Sequence, residues 1–146
     1  MDLNVAINAF ATAIAYAEGF YVNGSRPQRN NNPGDLTVDT IGKGIGKDGP
    51  FIIYATPDDG WEALKRQVSL ILTNTSNVYN TNMTIQDMAN RYTTTEQEAW
   101  ALNVAGKLGV SPDTKISTIL ETAAIVGGGG AILFLVALVL YLRNKV

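Results

Sequence analysis

The chain contains no cysteine and no histidine among its 146 residues. Without cysteine there is no disulfide, no thiolate metal site and no thiol nucleophile, and the redox compartment leaves no mark. Without histidine, Ser-His-Asp and Cys-His catalysis are excluded, together with nearly all zinc chemistry. Acid–base chemistry near neutral pH therefore falls to carboxylates, with tyrosine or lysine as helpers. The chain also has no excess of basic charge. All 13 acidic residues but only 9 of the 11 basic ones lie at or before Thr122, so this part carries about −4. That balance gives no reason to propose a nucleic-acid partner, since phosphate binding needs a clustered basic face. Neither a cofactor nor a metal is expected.

Charge is absent altogether from Thr122 to Leu142. Residues 123–142 (AAIVGGGGAILFLVALVLYL) span roughly 30 Å as a helix, the thickness of a bilayer's hydrocarbon core. Tyr141 suits the interface, and Arg143 and Lys145 follow at once. The stretch is expected to be a single C-terminal transmembrane helix in contact with a lipid bilayer, with 143–146 as a basic tail and 116–122 as a juxtamembrane linker. The run Gly127–Gly130 reads either as a close-packing face for self-association into a homo-oligomer or as an irregular turn. Met1-Asp2-Leu3 lacks the basic start of a signal peptide. The basic tail votes for a cytoplasmic C-terminus with the domain on the far side.

The preceding residues show helical patterning. Leu3, Ile7, Phe10 and Ile14 form an apolar stripe, predicting a helix over 3–18. Glu18 falls on that stripe, about 40° from Ile14, and Gly19 follows. Either this helix end is open and the carboxylate solvated, or a carboxyl is held against apolar surface. Residues 23–35 (NGSRPQRNNNPGD) read as loop. Leu36–Asp39 and Phe51–Tyr54 read as a small hairpin with a long Gly-rich turn. Within that turn Gly44, Gly46 and Gly49 match GxGxxG in form only, since a strand rather than a helix follows. Thr56-Pro57-Asp58-Asp59, Thr84 with Asp87, and Thr95 with Glu98 mark three helix starts, and Gly109 a stop. Ser111-Pro112 opens a last segment. The expected fold is α+β and predominantly helical, with one small hairpin.

A helix ending in a lone glutamate, then a hairpin, then a helical half, resembles the lysozyme-like superfamily. Ala17-Glu18-Gly19-Phe20, followed by Arg29-Asn30-Asn31-Asn32-Pro33-Gly34-Asp35-Leu36, is similar to the AEG…NNPGNL pattern of phage and bacterial lytic transglycosylase-like domains. Phe51-Ile52-Ile53-Tyr54, then Thr56, Pro57 and Gly60-Trp61-Glu62-Ala63-Leu64, resembles the segment that follows, as does Lys107-Leu108-Gly109-Val110-Ser111-Pro112. The likeness covers roughly residues 10–115, within a domain set at 1–115. It implies a lysozyme-like fold and cleavage of peptidoglycan glycan strands between N-acetylmuramic acid and N-acetylglucosamine, leaving a 1,6-anhydro end.

The resemblance further implies that Glu18 is the catalytic acid/base, protonating the glycosidic oxygen and then taking the proton of the muramoyl C6 hydroxyl. Asn31, Asn32 and Gly34 would shape the substrate-side loop, with an Asx-rich turn as the alternative, which is preferred for Asn30. Tyr92 would orient Glu18 or the sugar's N-acetyl group, or else fill a helix core. Trp61 and Trp100 are expected in the core rather than on sugars. Asp35 departs from the family's usual asparagine. It is either the base or nucleophile of a hydrolase or a solvated turn acid. The setting implied is a phage product in a virion membrane, or an enzyme of a host inner membrane facing the periplasm. A muramidase of the same fold and a catalytically silent structural or glycan-binding membrane protein are the alternatives. A pore former is disfavoured by the large polar domain ahead of the span.

Overall fold

A computed structural model describes residues 2–125. Six helices and one two-stranded antiparallel sheet make an α+β domain: α1 (Leu3–Ala17), α2 (Arg26–Arg29), β1 (Gly44–Asp48), β2 (Phe51–Tyr54), α3 (Pro57–Leu72), α4 (Ile85–Tyr92), α5 (Gln97–Leu108) and α6 (Ile116–Ile125). The expected span 123–142 lies outside the described residues apart from the last turn of α6, as do Gly127–Gly130 and the tail. Among the described residues no helix is long and apolar enough to cross a membrane.

Helix α1 forms where its stripe predicts, with Phe10 and Ile14 buried and alanines between them letting α3 and α5 approach closely. Of the four stripe residues only Leu3, at the open end of the helix, stays exposed. The helix ends in a Schellman turn. Gly19, at φ +77°, turns the chain, while its N–H bonds Tyr16 O and the Phe20 N–H bonds Ala15 O. Glu18 thus occupies the last helical position before a forced change of direction.

Helix α3 starts as predicted, with the Thr56 hydroxyl accepting the Asp59 N–H and Pro57 at the first position. It buries Leu64, Val68 and Ile71. Helix α4 carries the full reciprocal box between Thr84 and Asp87. Helix α5 starts differently from expectation. Thr95 is engaged with Thr93, and Glu96 in the left-handed region takes the cap position without a side-chain bond. Gly109 ends α5 in the left-handed conformation, as its position suggests.

Three further expectations are corrected. Leu36–Asp39 is not a strand, because the Asp39 carboxylate accepts the N–H groups of Ile41, Gly42 and Gly44 and folds 39–44 into a side-chain-stapled loop. The partner of β2 is instead the glycine-rich β1, in register Asp48↔Phe51 and Lys47↔Ile52 with a bulge near Gly44. Residues 26–29, read as loop, form the short α2, capped by Ser25. Residues 116–122 are not a linker. They begin α6, and Ile116 and Ile119 belong to the core.

Candidate active site

The site is assembled from the end of α1, the loop 30–36, and the facing surfaces of α4 and α5. The loop runs along the edge of β2 that β1 does not use. The Tyr54 N–H bonds Asn30 O, and the Ile52 N–H bonds Leu36 O, each at 2.9 Å. Between those points side chains take the place of backbone donors. Asn31 Nδ2 reaches Tyr54 O at 3.0 Å, and Asn32 Nδ2 reaches Ile52 O at 2.9 Å and Leu36 O at 3.0 Å. Asn32 Oδ1 accepts the Leu36 N–H at 2.9 Å. This is why consecutive asparagines stand here: their amides supply what a tightly curled backbone cannot. Asn31 and Asp35 both hold positive φ, +51° and +46°, a conformation these two residue types tolerate.

Glycines let the loop sit down on the helices. A Cβ on Gly34 would lie 2.7 Å from Leu64 Cδ1 and 3.0 Å from the Tyr92 hydroxyl. One on Gly60, in the first turn of α3, would lie 1.8 Å from the Asn31 carbonyl oxygen. Gly60→Ala is accordingly expected to lift the loop off α3 and destabilise the domain by about 2–3 kcal/mol, read as a lowered midpoint in thermal or urea unfolding.

Glu18 is partly buried, and Trp100 Nε1–H donates to its Oε1 at 2.7 Å. The Trp100 indole stacks on Tyr92, centroids 4.9 Å apart and planes 29° apart. Tyr92 in turn donates its hydroxyl to Gly34 O at 2.7 Å and packs at 6.4 Å from Tyr79. An aromatic wall of Tyr79, Tyr92 and Trp100 therefore links the loop to the glutamate. Burial pushes the Glu18 carboxyl up to about 7, the Trp100 donor opposes it, nearby Asp35 adds to it and Arg26 subtracts. The C-terminal end of α1, with its negative dipole pole, also disfavours an anion there. Burial likewise holds the Tyr79 hydroxyl at about 12, and the Tyr92 hydroxyl well above its ordinary value. Both phenols are neutral donors near pH 7.

Asp35 is not a solvated turn acid. It is buried, and the Arg26 guanidinium grips both its oxygens, with Nε at 3.2 Å from Oδ1 and 3.1 Å from Oδ2 and an ion pair from NH2 to Oδ2. Arg26 is fixed from its other face by the Phe51 ring, 3.5 Å from the guanidinium carbon to the centroid. The bond to Asp35 raises the already high Arg26 value, so the guanidinium stays charged. Asn30 forms no Asx turn. Its amide reaches Asp48 Oδ2 at 3.3 Å.

The structure thus brings Glu18, Gly34, Asp35 and Tyr92 into one neighbourhood, and gives Asn31 and Asn32 a supporting place. Asn32 is fully buried with its amide wholly used inside the protein, so it shapes the loop and does not reach a ligand. Tyr92 acts through Gly34 and Trp100 rather than by bonding Glu18. Trp61 is only partly buried, edge-on to Phe20 at 5.6 Å, and lines an open groove with Asn8, Thr12 and Tyr21. Two members of the site, Arg26 and Trp100, carry no local sequence signal of their role. Among the described residues no group of three or more acidic side chains could hold a metal ion. Compared with models of known families, with curated proteins and with solved structures, the chain matches none.

Proposed function

We propose that the chain is a membrane-anchored peptidoglycan lytic transglycosylase of lysozyme-like fold with Glu18 as its single acid/base. The observation that carries this reading is the Glu18 carboxyl held partly buried at a helix end beside the Trp100 indole, where burial pushes its value up to about 7. A glycosidic oxygen is a very weak base, so the group that protonates it must still carry its proton at working pH. The first step breaks the bond between C1 of the muramoyl unit and the bridging oxygen as that oxygen takes the proton of Glu18. In the second, the C6 hydroxyl oxygen bonds C1 and its proton returns to Glu18. Atoms balance without water, and the carboxyl ends as it began.

The state of Asp35 favours this route over hydrolysis. A nucleophile or a base that activates water needs lone pairs free to act. Those of Asp35 are engaged by the Arg26 ion pair, which makes the carboxylate a weaker base and nucleophile. Asp35 contributes a fixed negative charge that helps Glu18 keep its proton. Resemblance of the AEG…NNPG segment supplies the substrate class, and residues 123–142 supply the anchor, in a virion membrane or a host inner membrane with the domain facing the periplasm.

The reading is tested by incubating the full chain with purified peptidoglycan and weighing the released muropeptides, which are expected to carry 1,6-anhydro ends. Asp35→Asn is the informative comparison. It keeps the left-handed turn but removes the charge and frees Arg26. Both changes lower the Glu18 value, so the alkaline limb of the pH–rate profile is expected to move to lower pH. Activity at pH 6 should fall less than about tenfold, with anhydro products unchanged. Loss of all activity in Asp35→Asn, or reducing ends from the wild type, would move the assignment to a muramidase. No release from a folded chain would favour a structural or glycan-binding protein.

A further inference from the structure

The two oxygens of Glu18 are not equivalent. Oε1 receives the Trp100 Nε1–H at 2.7 Å, and an indole N–H can only donate. In a neutral carboxylic acid the carbonyl oxygen is the better acceptor, so the bonded Oε1 is the carbonyl and the proton resides on Oε2. The indole cannot swing away, because Trp100 is only 5% exposed, is stacked on Tyr92 and is carried in the first turn of α5. Tyr92 is held by Gly34 O, and Gly34 is pressed against Leu64.

We infer that Trp100 is the positioning residue of the acid, selecting Oε2 as the oxygen that gives and regains the proton, and that Tyr92 registers it against the 30–36 loop. This rests on the reading of Glu18 as the acid/base and adds to it the atom that acts and the residue that chooses it. The consequence extends to the intermediate stage of the reaction. Once Oε2 has lost its proton, the Trp100 bond becomes charge-assisted and stronger, which stabilises the carboxylate until the C6 hydroxyl proton returns to the same oxygen. A donor fixed before the reaction needs no reorganisation during it.

The proposal is tested by NMR on the full chain in detergent, with labelled glutamate carboxyls and indole nitrogens. In the wild type the Trp100 indole N–H resonance is expected to titrate with the same midpoint as the Glu18 carboxyl, because bond strength follows the acceptor's charge. A Trp100 resonance that ignores the Glu18 transition would overturn the proposal, and that observation needs no variant. Trp100→Phe keeps an aromatic ring against Tyr92 but removes the donor. Its Glu18 midpoint is expected to rise, the alkaline limb of wall cleavage to rise with it, and kcat to fall about tenfold with little change in KM. An unshifted Glu18 midpoint in folded Trp100→Phe would also overturn it. The titrations stand whether or not the wild type cleaves peptidoglycan, so failure of the enzymatic reading is distinguished from failure of this one.

Discussion

Glu18→Gln is expected to lower peptidoglycan cleavage by about 10³-fold or more and, above neutral pH, to make the domain more stable. The loss follows from removing the carboxyl proposed to give and regain the proton, since general acid–base groups contribute about 10²- to 10⁴-fold and here one group serves both steps. The gain in stability follows from linkage. The folded protein holds the Glu18 proton to about pH 7, whereas the unfolded chain releases it near the ordinary value of 4.5. Between these values the folded state binds more protons, so wild-type stability declines as the pH rises through that window. At pH 8 the penalty is at most about 3 kcal/mol, and less because the carboxyl is partly in contact with water. Glutamine keeps the size and can still accept from Trp100 without ever charging. Unfolding curves of the two proteins should therefore nearly coincide at pH 4.5 and separate by pH 8, with the variant more stable. Equal stability at both pH values would contradict the buried-acid account, and undiminished cleavage would remove Glu18 from the mechanism.

Asn32→Ala is the second large effect. Its side-chain amide serves three buried backbone groups, and among the described residues no enclosed side-chain nitrogen or oxygen lacks a partner. Alanine leaves the Leu36 N–H without an acceptor and removes a donor from Ile52 O, while Leu36 O keeps the Ile52 N–H. One to two stranded groups plus the small cavity amount to about 3–4 kcal/mol. The effect is directional as well. The loop would lose its attachment to β2, Gly34 would no longer hold Tyr92, and the Trp100–Glu18 contact would loosen. Urea unfolding should give the stability loss. Cleavage per folded molecule is expected to fall at least tenfold, whereas a variant that only lost stability would keep full activity when folded.

Glu18 is legible in the sequence because a carboxylate on an apolar stripe, just before a helix-ending glycine, violates the pattern in a chain with no histidine. The helix starts at Thr56 and Thr84 are legible for a similar reason, since capping chemistry is local and lies within three residues. The hairpin's first strand is not. Leu36–Asp39 has the β-prone composition and Gly44–Asp48 does not, but β propensity yields to what the backbone groups find as partners. Asp39 binds the N–H groups that a strand at 36–39 would need to lead into, and the glycine-rich segment pairs in its stead. Residues 116–122 are misread as a linker because Ile116 and Ile119 look like the approach to the apolar run beyond them. Their partners lie in the domain, where Ile116 N–H bonds Met83 O.

The remainder of the site is a matter of long-range contact. Trp100 is 82 positions from Glu18 and Tyr92 is 58 from Gly34, and nothing local distinguishes an indole that fills a core from one that also aims its N–H at a carboxyl. Trp100 does both. Arg26 reads as one of several loop charges until the left-handed turn at Asp35 brings the two together nine positions apart. Asp35 itself is ambiguous from sequence, since a turn acid, a hydrolase base and an ion-paired structural anion share one letter. The structure shows it buried and ion-paired with Arg26.

The central claim is that a single carboxyl performs both proton transfers and that water takes no part. It is tested most directly by digesting peptidoglycan with the full wild-type chain in oxygen-18-labelled water and weighing the products. The account predicts muropeptides lighter than hydrolysis products by one water and carrying no label. One labelled oxygen at each new muramoyl end would contradict it, because water would then have entered at C1 and Glu18 would not be acting alone.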